Sequence, residues 1–198
     1  LWARNVKHLQ AMQEQRKNSR YLPTITLPGK VVFVDSLPNL LARVQDIFIV
    51  VPSKAFASII QQIKPYVNAD HRIAWATKGL DPTTGEFFSE LIHREFGRAL
   101  PCAVLSGPSF AYEVAIGLPT AVTVAANDAG LLQDMVSYFH VNNFRVYTST
   151  DLIGVQLGGV VKNILAVAAG IAEGLGFGAN AKAALITRGL VEMQRLGN

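Results

Sequence analysis

The 198-residue chain contains a single cysteine, Cys102, which excludes an intrachain disulfide framework. No Cys/His spacing of the metal-holding kind is visible either, so no metal centre is expected. A signal-peptide pattern is also missing, and with the lone thiol this predicts a reducing, cytoplasmic compartment. Charge is scarce: 16% of residues are charged and the net charge is only +4. That balance suits small anionic ligands better than nucleic acid, whose extended footprints group Lys/Arg with aromatic platforms. Long hydrophobic runs are lacking too. The charge-free apolar run Asn163 to Ala172 is about half of a bilayer span, so membrane insertion is not expected.

What the chain does have is apolar content, at 50%, enough for a sizeable core and too much for disorder. Its basic residues concentrate in the first 20 positions, with Arg4, Lys7, Arg16, Lys17 and Arg20 against Glu14, read as a solvated helix face. After this helix the sequence alternates. "KVVFVD" (30–35), "DIFIVVP", "RIAWATK", "CAVLSG", "TAVTVAA" and "FRVYTST" read as strands. Helical patterns such as "LPNLLARV", "KAFASIIQQI", "GEFFSELIHREFG", "SFAYEVAIG" and "AGLLQDMVSYFH" lie between them. Continuous β-branched runs predict strands covered on both faces, hence an α/β, doubly wound, mostly parallel sheet of the Rossmann type. From Asp151 onward the spacing is helical throughout. The expected organisation is therefore a dinucleotide-binding domain over 1–150 and the beginning of an all-helical domain over 151–198. Both ends read as cut: the chain begins on "LW", like a strand's tail, and ends inside an amphipathic helix. A Rossmann domain lacking its first strand and Gly-rich turn would keep open edges.

Five places could carry chemistry. Lys162 sits in "GVQLGGVVKNILAVAAG", with Gly158 and Gly159 at i−4 and i−3 and Ala166 and Ala169 at i+4 and i+7. A lysine leans toward the preceding turn, so this bare face predicts a depression beneath the ammonium; a lysine snorkelling to solvent is the alternative. Lys78 ends "RIAWATK", where open α/β sheets gather ligands, or it is simple surface. "SGPSFAYE" (106–113) places Gly107 for close backbone approach and Pro108 in a first helical turn. Its free N–H groups either receive an anion or take part in ordinary capping. Ser53 after "VVP" carries the same two readings. Arg4 lies where dinucleotide folds read the adenosine ribose, and an arginine there accommodates the 2′-phosphate of NADP. "GLGFG" (174–178) follows a helix and is read as a helix-to-helix turn.

Taken together, "VVPS", "WATKGL", "LSGPSFAYEVAIGLPTAV", "FRVYTSTDLIGVQLGGVVKN" and "GFGANAKAALITRGLVEMQRLG" resemble the bacterial NAD(P)-dependent glycerol-3-phosphate dehydrogenase family over essentially the whole chain. The resemblance implies an oxidoreductase interconverting dihydroxyacetone phosphate and glycerol 3-phosphate by hydride transfer, feeding phospholipid synthesis. It puts the proton-transferring lysine on Lys162 and a second ligand-contacting lysine on Lys78. Gly107 and Ser109 would contact substrate; Ala111, Arg4 and Tyr21 would contact the cofactor, NADP or NAD, with NADPH favoured from Arg4. A packed tyrosine at a turn explains Tyr21 equally well. The family's Gly-rich turn would precede residue 1, and further substrate ligands would lie beyond Asn198. A β-hydroxyacid-type NAD(P) dehydrogenase and a non-catalytic dinucleotide-binding sensor remain as alternatives, and a homodimer stays open.

Overall fold

A computed structural model describes residues 1–197. Helix α1 (Val6–Gln15) starts at Asn5, whose Oδ1 accepts the His8 N–H at 3.0 Å. It stops at Arg16, held in the left-handed region at φ 51°. The Arg16 guanidinium donates to Val31 O at 3.0 Å and to Pro28 O, and lies 5.2 Å over the Phe33 ring. At this residue the expectation of a solvated basic face is corrected, because the cation anchors the next segment. A small antiparallel hairpin follows, β1 (Lys17–Asn18) and β2 (Leu22–Thr26), which the sequence did not disclose because one arm is only two residues long. The expected strand over 30–35 is not part of a sheet ladder. Its long-range backbone bonds go to one residue: the Leu1 amino group donates to Val32 O at 2.6 Å, and Val34 N–H donates to Leu1 O at 2.9 Å.

The remaining elements follow the expected alternation. They are α2 (Leu37–Leu41), β3 (Asp46–Ile49), α3 (Ser53–Ile63), β4 (Arg72–Trp75), α4 (Phe88–Phe96), β5 (Cys102–Ser106), α5 (Ala111–Ala115), β6 (Thr120–Ala126), α6 (Ala129–Phe139) and β7 (Phe144–Ser149). Strands β3 to β7 form one sheet in chain order, parallel at every junction except β5–β6, which is antiparallel. The link between β5 and β6 is the exposed α5, which returns the chain beside β5 in the opposite direction. Each face of the sheet carries a buried cluster, as the unbroken apolar runs required, although β7 buries only Val146. One face packs Phe56, Ile60, Trp75, Phe88 and Ile92, with the Phe56 and Phe88 rings stacked at 4.1 Å; the other packs Leu105, Val122, Val124, Leu131 and Met135. Cys102 is fully buried, and burial, then the Glu90 carboxylate, pushes its thiol up to about 12, which makes it inert at neutral pH.

Two helices complete the chain, α7 (Leu152–Gly174) and α8 (Ala179–Leu196), joined at "LGFG" as the helix-to-helix turn expected there. The Asp151 carboxylate caps α7 by accepting the Gly154 N–H at 2.7 Å. By length and composition alone α7 is long and apolar enough to cross a bilayer, a property that its short charge-free run concealed. Its first half is committed to the sheet instead. Leu152, Gln156 and Gly159, spaced four and three apart, are buried on one face.

At the first residues of β3 and β4, Arg72 clamps two strands and a helix. Its Nε and Nη2 reach the Asp46 carboxylate at 2.5 and 2.7 Å, and its Nη1 reaches Asp134 at 2.6 Å. The Tyr138 hydroxyl donates to Asp46 at 2.9 Å. The Arg72 hydrogen bonds hold the Asp46 carboxyl below the usual carboxylate range, outweighing its partial burial. A depressed folded-state value contributes stability above the unfolded value, near 4, and loses it as pH falls through the folded one. Asp46→Asn is therefore expected to destabilise the protein by about 1–2 kcal/mol near neutrality, allowing for solvent screening. Urea unfolding across pH should show the gap to the parent closing in acid; a gap constant with pH would contradict the assignment.

Candidate active site

The site grows from the carboxyl ends of β4 and β5. The β3–β4 ladder ends at Ile49 and Trp75, but the buried Thr77 prolongs it with its side chain: Oγ1 accepts the Val51 N–H at 3.2 Å and donates to Val51 O at 2.8 Å. This fixes the backbone on which Lys78 stands. Gly79 follows at φ +119°, a conformation that side-chain-bearing residues avoid, and turns the chain beside Ser53, the first residue of α3. Lys78 is half-buried, and its Nζ donates to Ser109 Oγ at 3.3 Å. Ser109 Oγ in turn donates to Gly107 O at 3.4 Å.

Gly107 is needed for space. A Cβ there would lie 2.8 Å from Ala121 O and 2.9 Å from Val122 Cα, both backbone atoms of β6. Pro108, however, precedes the helix and does not open it, because α5 starts at Ala111 with Phe110 as its N-cap. Lys78, Ser109 and Ala111 line one cleft of about 770 Å³, whose walls are mainly apolar, among them Val50, Leu105, Val114 and Phe139. That volume is in the range of nucleotide and small-molecule sites.

Lys162 is carried by α7 and is not among the residues lining that cleft. Gly159 is pressed onto the strand ends: a Cβ there would lie 2.8 Å from Ser106 Oγ and 4.0 Å from Lys78 Cγ. Lys162 stands three residues on, about 4.5 Å further along the helix. The Lys78 ammonium has its pKa lowered, first by burial and then by the positive charge of Lys162. The expected depression under Lys162 is corrected. Gly159 serves close packing, since a Cβ there would meet Ser106, whereas a Cβ at Gly158 would make only an ordinary contact, 3.8 Å from the Met193 methyl.

Two expected cofactor contacts are not among the residues lining the cleft. Arg4 is exposed beyond the Leu1 pairing, and Tyr21 is exposed at the hairpin, edge-on to His8 and under the Arg20 guanidinium. Its neighbour Leu22 does line the cleft. Sequence reasoning passed over Thr77 and Gln156. Both are polar residues within apolar runs, and the signal was available: a buried polar group requires partners.

The sheet and the cluster at its strand ends define a Rossmann-type α/β protein. Sequence comparison resolves this further. The description "NAD-dependent glycerol-3-phosphate dehydrogenase N-terminus" matches residues 1–132, and the corresponding "C-terminus" matches residues 151–198. The chain belongs to the NAD-dependent glycerol-3-phosphate dehydrogenase family. It is 54% identical over 196 residues to a glycerol-3-phosphate dehydrogenase [NAD(P)+] of Alkalilimnicola ehrlichii, covering 99% of this chain and 59% of that protein. It is 51% identical over 198 residues to one of Haemophilus ducreyi, covering 100% of this chain and 59% of that protein. Among solved structures, glycerol-3-phosphate dehydrogenase from Coxiella burnetii superposes with a TM-score of 0.91 at 48% identity, over 99% of this chain and 60% of that one. The chain thus spans 59% of the length of these curated relatives.

Proposed function

We propose that the full-length protein interconverts dihydroxyacetone phosphate and sn-glycerol 3-phosphate with NADPH or NADH, in the cytoplasm, and so supplies glycerophospholipid synthesis. The observation that carries this reading is the seating of α7, the helix that bears Lys162, on the strand ends through Gly159, whose Cβ would lie 4.0 Å from Lys78 Cγ. Family membership gives that pair its chemistry. In this reading residues 1–150 form the dinucleotide-binding domain and 151–198 begin a helical substrate domain.

The mainly apolar cleft with Lys78 and Ser109 on its wall fits a dinucleotide, whose flat ring needs apolar walls and whose polar groups need few donors. Ala111 and Lys78 would hold it there, with Tyr21 and Arg4 meeting its far end from outside the cleft. Bound NAD(P)H supplies the hydride that the ketone carbon accepts. Lys78, Gly107 and Ser109 bind the triose phosphate, and the Lys78 amine fixes the ketone's orientation. Lys162 stabilises the negative charge that develops on the carbonyl oxygen and delivers the proton that completes the alcohol. An exposed arginine at position 4 favours NADPH, because it can pair with a 2′-phosphate.

Oxidation of NADPH and NADH by the full-length protein with dihydroxyacetone phosphate tests this directly. Turnover is expected with both, and NADPH should have the higher kcat/KM. Cofactor binding without oxidation would make the protein a sensor, and turnover only of carboxylated β-hydroxyacid substrates would reassign the reaction.

A further inference from the structure

Gln156, in the first half of α7, is 5% exposed, and both ends of its amide are engaged. Its Oε1 accepts the Ser89 N–H at 3.1 Å, while its Nε2 donates to Ser89 Oγ at 2.8 Å and to Leu152 O at 2.9 Å. Ser89 is the second residue of α4, whose N-cap, Phe87, has no side-chain acceptor to offer. Gln156 therefore satisfies, from another helix, a backbone donor that the local sequence leaves without a partner. A buried, fully bonded amide tolerates little rotation, because turning α7 breaks the two hydrogen bonds to Ser89 in a low-dielectric setting. One turn later Gly159 is pressed against Ser106 and Lys78, which limits any closer approach of the helix. Lys162 is carried on the turn that follows.

We propose that Gln156 is a positioning residue: by capping α4 from α7 it fixes the rotation of α7 and so holds the Lys162 amine beside Lys78. The proposal rests on the proton-transfer reading of Lys162 for its consequence in turnover, but its geometric content does not. The groups facing Lys78 are the Ser109 hydroxyl, its hydrogen-bond acceptor, and the Lys162 ammonium, the charge that bears on it. Gln156 and Ser106 share the small space behind it and are uncharged. A rotation of α7 would thus be read at Lys78 as a weakened repulsion.

The test follows the Lys78 titration in the full-length protein by NMR of ¹³C-dimethylated lysines, together with kcat and KM. Lys162→Met sets the reference: with that charge gone, Lys78 should titrate at higher pH. Gln156→Leu removes all three bonds while keeping bulk. It is expected to move Lys78 in the same direction and to lower kcat about 10- to 100-fold with little change in cofactor KM. Gln156→Glu keeps an acceptor for both the Ser89 N–H and the Ser89 hydroxyl, at a helix N-terminus that favours negative charge, and should recover kcat; only kcat is read in this variant, because the carboxylate behind Lys78 would by itself raise the lysine's titration. If the leucine variant does not fold, Ser89→Ala removes the hydroxyl acceptor alone and should move Lys78 and kcat the same way by less. An unchanged Lys78 titration in Gln156→Leu, or in Ser89→Ala in its place, would overturn the proposal. A Lys78 shift in Gln156→Leu beside full kcat in Lys162→Met would instead overturn the proton-transfer reading and leave the clamp standing.

Discussion

Replacing Lys162 with methionine is expected to lower kcat by about 10²–10⁴-fold while cofactor binding persists, because a positioned acid contributes on that scale. Methionine keeps the length and much of the bulk of the side chain, and the helix around it should be undisturbed. The face of α7 that docks on the sheet is formed by Leu152, Gln156 and Gly159, and Lys162 is not part of it. What disappears is the ammonium, which in the proposed reaction supplies both the charge opposite the developing oxyanion and the proton that reaches it. A kcat close to that of the parent, with binding intact, would remove Lys162 from the chemistry. The pH profile gives a second reading of the same variant. Lys78 has its pKa lowered by burial and by Lys162, and burial alone remains after the substitution. Any limb of the profile that reports Lys78 should therefore move to higher pH.

Gly107→Ala is expected to cost about 2–3 kcal/mol of stability, at the upper end of what overpacking by one methyl causes. The new carbon would meet Ala121 O at 2.8 Å and Val122 Cα at 2.9 Å. Neither atom belongs to a flexible side chain, so β5 and β6 must separate near Ser106. The same shift reaches the site, since Gly107 O accepts from Ser109 and Ser109 accepts from Lys78. Substrate KM should rise along with the loss of stability. An unfolding midpoint equal to the parent's would show that the strands yield at no cost and would contradict this packing.

The succession of sheet and helices was legible because the strands β3 to β7 are short apolar runs punctuated by Gly, Pro and Asp, and burial on both faces erases alternation. The antiparallel junction was not legible. Nothing in "SFAYEVAIG" tells an exposed five-residue helix from a crossover helix packed on the sheet, and strand direction depends on that difference. The segment over 30–35 has strand composition, yet a strand is defined by its partners, and its long-range backbone bonds are to Leu1.

At the site, Lys78 and Ser109 could be expected to meet because both follow strands that end at one edge of the sheet. The nearness of Lys162 could not be derived from its own helix, since it depends on how Gly159 and Gln156 seat α7. Here the local reading of Gly159 as open space failed: a missing side chain serves a void and a close contact equally well, and only the tertiary partner decides.

The most direct test is a crystal structure of the full-length protein with cofactor and dihydroxyacetone phosphate bound. The account predicts Lys162 Nζ within hydrogen-bond distance of the substrate's carbonyl oxygen, with Lys78 on the same molecule. A triose held elsewhere, or a Lys162 amine turned to solvent while the ketone is bound by other groups, would contradict it.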